Sequence, residues 1–121
     1  MAYDEDLAER VRALLAGEDD LREQRMFGGL AFLVAGSMAV AVRGRGGLMV
    51  RVDPDRSVAL VESTAAEPME MRGRLMNGWL TVDAAGVEAD DDLARWVGIG
   101  LRRARALGVG GGGPGDRGAS R

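Results

Sequence analysis

The chain of 121 residues contains no histidine and no cysteine, and because all 16 of its cationic side chains are arginine it contains no lysine either. Without imidazole, thiolate or amine there is no Ser-His-Asp or Cys-His mechanism, no Schiff base, and no zinc site built from nitrogen and sulfur ligands. A P-loop is excluded with its lysine. Carboxylates, arginines, a few hydroxyls, Asn77 and the backbone are what remains for chemistry. The chain is therefore expected to be neither an enzyme nor a cofactor or metal binder. The missing cysteines also stake nothing on an oxidising compartment. The acidic start, Asp4-Glu5-Asp6, lacks the basic region and apolar stretch of a signal peptide, so a cytoplasmic location is expected. The longest apolar stretch, Leu30 to Val42, is broken by Gly36 and Ser37 and is too short to span a bilayer.

Aromatic residues are scarce at 4%, while hydrophobic residues make up 46% and charged residues 29%. Leu, Val, Met and Ala must then fill the interior of what the length marks as one domain. A net charge of −3 opposes a whole-surface attraction to nucleic acid or anionic lipid but allows a local basic patch.

Periodicity divides the chain into elements. Asp4 to Ala16 reads as an amphipathic helix, with Leu7, Val11, Leu14 and Leu15 at i, i+4, i+7 and i+8 and acids in its first turn. Glu18 to Leu21 reads as a polar connection, Arg25 to Phe27 as a short strand, and Gly28-Gly29 as a break or bulge. Leu30 to Ala35 and Met38 to Val42 read as a hairpin turning at Gly36-Ser37, followed by the strand Leu48 to Val52. Asp53-Pro54 places a cap before a proline that opens a short helix to about Ser63. Pro68 to Arg72 and Trp79 to Asp83 read as two further strands, with Asn77-Gly78 as the turn dipeptide. A last helix opens at Asp90, carries Leu93, Trp96, Val97, Leu101 and Ala104 on one stripe, and holds Gly100 on that stripe, where it permits close packing. The expectation is a two-layer α+β domain over residues 1–107, an antiparallel sheet with flanking helices in the order α-β(4)-α-β(2)-α. Residues 108–121 read as a Gly-rich flexible tail.

Arg43-Gly44-Arg45-Gly46-Gly47 can be read as an anion or nucleic-acid contact, or as a hairpin tip whose glycines serve turn geometry. Arg102, Arg103, Arg105, Arg117 and Arg121 can form a basic end, or complement a helix dipole. The clusters Glu18-Asp19-Asp20 and Asp90-Asp91-Asp92 lack calcium-loop spacing, and Asp at a helix start, as at Asp90, is the ordinary capping choice. Leu30 to Val42 is apolar on both faces. A two-layer domain covers only one face of its sheet, so the other is expected to meet a partner, most simply a second copy.

The segments Met1 to Arg10, Arg25-Met26-Phe27-Gly28-Gly29-Leu30-Ala31-Phe32, Leu48-Met49-Val50-Arg51-Val52, Pro68-Met69 and Asn77-Gly78-Trp79 resemble, in that order, the TfoX N-terminal domain family. The resemblance covers about residues 1–107. It implies a fold of the secretion-chaperone-like kind, often paired into dimers, and brings no catalytic residues with it. The family's namesakes regulate natural competence and carry a second, helical domain; this chain resembles the stand-alone members. The expected function is a non-enzymatic regulatory or protein-interaction domain, homodimeric and contacting an unidentified protein. The alternatives are a nucleic-acid-binding module using Arg43, Arg45 and the C-terminal arginines, and a small-ligand-binding protein or carboxylate-based enzyme. Arg25 and Arg51, charged residues on strands, are candidates for the interaction surface together with Phe27, Arg43 and Arg45.

Overall fold

Asp4 opens the first helix, its carboxylate accepting the Leu7 amide at 3.1 Å while Glu5 and Asp6 face the positive end of the dipole. This helix, α1 (Glu5–Leu14), buries Leu7, Ala8 and Val11, and Leu15 just beyond it. The structure is a computed structural model and describes residues 3–26 and 28–109. After α1 come β1 (Leu21–Met26), β2 (Gly29–Val34), β3 (Ser37–Val42) and β4 (Leu48–Arg51). A 3-10 turn (Pro54–Arg56) then leads into α2 (Ser57–Ser63), followed by β5 (Glu67–Met71), β6 (Arg74–Val82), a second 3-10 turn (Ala84–Val87) and α3 (Asp90–Val109). The strands form one antiparallel sheet in the order β1-β2-β3-β4-β6-β5. The α+β class and the expected α-β(4)-α-β(2)-α order are both present.

The helices pack on one face. Leu93, Trp96 and Val97 of α3, with Leu7 and Val11 of α1 and Leu15 just after it, meet Leu30, Phe32, Val40, Val42, Leu48, Val50, Leu80 and Val82 of the sheet in one buried cluster. Each such apolar side chain removed from water contributes roughly 1.5–3 kcal/mol. Aromatic scarcity is thus met by many aliphatic contacts around two rings, Phe32 and Trp96. Between β2 and β3 the register moves from Phe32↔Val40 to Leu33↔Met38, which leaves Ala39 as an extra, bulged residue. α3 crosses there: a Cβ on Gly100 would come within 2.3 Å of the Ala39 carbonyl oxygen. Only glycine allows that approach, as its place on the apolar stripe suggested.

Four boundaries differ from the sequence reading. β1 starts at Leu21, not Arg25, because it is an edge strand exposed on most of its length; its polar residues hide the period of two. The β2–β3 turn is Ala35-Gly36, not Gly36-Ser37, since Val34 pairs with Ser37 and both turn residues have positive φ, 54° and 83°. An alanine held there costs roughly 1–2 kcal/mol. The β5–β6 turn is Arg72-Gly73, not Asn77-Gly78. Gly78 instead sits inside β6 with φ 86°, its carbonyl accepting the Val52 amide at 2.8 Å, so its positive φ serves an irregular strand and not a loop. α3 also continues through Gly108 and Val109, the first residues of the expected tail; the rest of that tail lies outside the described residues.

Candidate interaction face

Strand alternation fixes what the uncovered face presents. With Leu30, Phe32, Val40, Val42, Val50 and Leu80 turned toward the helices, residues between them turn the other way. The register then aligns Gln24, Ala31, Ala41, Met49, Thr81 and Glu67 in one row across all six strands. Arg22, Leu33 and Met38 form a neighbouring row, and Arg51 pairs with Trp79. On this face Ala31 and Ala41 are buried and Leu33, Met38 and Met49 are half-buried. A groove of about 150 Å³ runs among Met26, Gly29, Ala41, Met49 and Met69, with Arg43 and Arg45 at its rim. Methionine adapts its shape to what it meets, which suits a contact surface.

The candidate residues fall into different settings. Arg51 lies over the Trp79 ring, its guanidinium carbon 4.7 Å from the ring centre, a cation–π contact worth about 0.5–1 kcal/mol at an exposed site. Burial, and after it the positive charge of Arg103, holds the Arg51 guanidinium below its ordinary pKa. Arg43 and Arg45 border the methionine groove from the β3–β4 loop. In that loop the Gly46 amide donates to the Arg43 carbonyl at 3.2 Å and the Arg43 amide to the Gly47 carbonyl at 3.0 Å. These two amides close the turn of the loop. Arg25 is exposed on β1 opposite Leu30, on the side of the sheet that carries the helices. Phe27 lies outside the described residues.

On that helix side, Glu23 is held by a two-pronged ion pair with Arg12, 2.6 and 2.8 Å, and Arg12 also reaches Glu9. The Arg12 hydrogen bond lowers the Glu23 pKa, outweighing partial desolvation, and the same contact raises the Arg12 pKa. Glu18 pairs with Arg105 of α3, so one arginine of the proposed basic end is engaged within the fold. Asp53 and Asp83 cap turns, accepting the amides of Asp55 and Gly86. Among the described residues no three carboxylates gather closely enough to hold a metal ion.

The described arginines of the nucleic-acid reading do not form one patch. Gly100 lies against Ala39, and Gly108 against Ala35 at the β2–β3 turn, so Arg102 and Arg103 lie between those points, toward that turn. Arg43 and Arg45 lie beyond the other end of β3, roughly 13 Å or more further along the sheet at strand spacing. Arg117 and Arg121 lie outside the described residues. The sequence did not reveal that Arg51 and Trp79 meet, because the pair depends on β6 joining the sheet beside β4.

One antiparallel sheet with helices packed on a single face defines a two-layer α+β domain. The sequence profile of the TfoX N-terminal domain matches residues 13–104, and the chain belongs to that family. A search among curated proteins finds no match. None of the described helices is long and apolar enough to cross a membrane.

Proposed function

We propose that this TfoX N-terminal domain is a non-enzymatic regulatory module that acts by protein contact, pairs with a second copy through its uncovered sheet face, and works in a setting like that of the TfoX competence regulators. The observation that carries the reading is the apolar patch on that face: buried Ala31 and Ala41 together with half-buried Leu33, Met38 and Met49. Arg51 on Trp79 and the rim arginines Arg43 and Arg45 add polar specificity at the margin of an apolar centre, the usual anatomy of a protein interface. The lack of His, Cys and Lys supports a role without covalent or acid–base chemistry, and a cysteine-free chain is suited to the cytoplasm.

Sedimentation of the full chain and of Met49→Glu tests this. The parent is expected to sediment as a dimer at micromolar concentration. The variant, with a charge in that patch, is expected to be monomeric with unchanged far-UV circular dichroism, its dimer constant weakened at least about 100-fold. A monomeric parent at 100-fold higher concentration, roughly 100 µM, would remove self-association from the reading.

A further inference from the structure

α3 carries a second stripe beside the one it buries. Arg95, Ile99, Arg102, Arg103 and Ala106, at i, i+4, i+7, i+8 and i+11, share one side of the helix and form a wall of a cleft of about 370 Å³. The facing wall is the Val52-Asp53 segment with Arg56 and Leu60. Four arginines therefore line a concavity whose one lining carboxylate, Asp53, already accepts the Asp55 amide at 3.0 Å. Among the described residues none of the four arginines has a carboxylate oxygen within ion-pairing distance; the ion pairs present involve Arg10, Arg12 and Arg105. In a chain of net charge −3, four arginines without an ion-pair partner among the described residues line this one hollow.

We infer that this cleft binds a small organic polyphosphate of the nucleoside triphosphate class. Guanidinium forks match phosphate oxygens two at a time, and four of them fit a chain carrying three or more negative charges. Between the arginines lie Leu60 and Ile99, an apolar floor for a ring. The volume lies within the range of small-molecule sites. A nucleic-acid backbone is a poorer fit: the four arginines line one hollow, and Arg43 and Arg45 lie beyond the far end of β3. The cleft lies between α3 and the Asp53–Leu60 segment, whereas the proposed dimer contact is on the opposite face of the sheet, so either can fail without the other.

Isothermal titration of the full chain with ATP, tripolyphosphate and adenosine tests the inference. ATP is expected to bind, tripolyphosphate to bind more weakly, and adenosine alone not to bind measurably. Arg103→Ala on one wall and Arg56→Ala on the other are each expected to weaken ATP binding about tenfold, with circular dichroism unchanged. Arg43→Ala/Arg45→Ala and Met49→Glu should leave it unaltered. Absence of ATP binding at millimolar concentration, or binding indifferent to both wall substitutions, would overturn the site. Tripolyphosphate binding as tightly as ATP would overturn the role of the apolar floor. A single-stranded DNA oligonucleotide that binds more tightly than ATP and is weakened by the same substitutions would replace the small ligand with a nucleic acid.

Discussion

Gly98 and Gly100 stand two residues apart in α3 and are held for different reasons. A Cβ at Gly100 would meet backbone, the Ala39 carbonyl oxygen at 2.3 Å and its carbon at 2.9 Å. At Gly98 it would meet only the tip of the Arg102 side chain, at 3.4 Å. Alanine is the better helix former by about 1 kcal/mol, so Gly98→Ala is expected to stabilise by about 0.5–1 kcal/mol. Gly100→Ala must push helix and sheet apart and is expected to destabilise by about 1–3 kcal/mol. Urea midpoints of the two variants, moving in opposite directions, check this. The role of Gly100 was legible because the glycine interrupts an apolar stripe. Arg51 was legible only as a charge on a strand; its partner Trp79 is 28 positions further on and meets it through the β4–β6 pairing.

At the scale of elements, the strands buried on one face and the two long helices announced themselves by period, and β1 did not. An edge strand pairs on one side and meets water on the other, so Arg22, Glu23 and Gln24 satisfy it without an apolar partner. Glu23 ties this strand to α1 through Arg12. Its pKa is lowered in the folded chain from the ordinary 4.5, so the stabilisation is complete above that value and is lost as pH falls through the lowered one. With both side chains about one third exposed, the pair is worth about 1 kcal/mol or less. Glu23→Gln is therefore expected to be less stable than the parent at pH 7 by up to that amount, and equal to it once Glu23 is protonated in both folded and unfolded chains. Denaturation curves at neutral and strongly acid pH report the convergence.

Across the whole molecule, the order of elements was readable from sequence while the order of strands in space was not. β6 lies inside, between β4 and β5, and nothing local to Arg74–Val82 distinguishes an inner from an outer position. The uncovered face was anticipated from strands apolar on both sides; its row from Gln24 to Glu67 draws one residue from each strand and exists only in the assembled sheet. If that face pairs two copies, folding and association are linked, and the melting temperature must rise with protein concentration. Scanning calorimetry over a hundredfold dilution is expected to show that rise in the parent and none in Met49→Glu.

The glycine contacts of α3 also govern what its outer side can do. Gly100 rests on Ala39, and eight residues later Gly108 rests on Ala35, so the helix is keyed to the sheet at two points and cannot turn about its own axis. The arginine stripe is locked in phase with those keys. One residue inserted between Ile99 and Gly100 would rotate everything beyond it by about 100° relative to Arg95. Seating Gly100 again on Ala39 would then carry Arg95 and Ile99 away from the cleft; keeping Arg95 in place would unseat both glycines. The length of the helix between its keys and its charges is therefore as constrained as the identity of either.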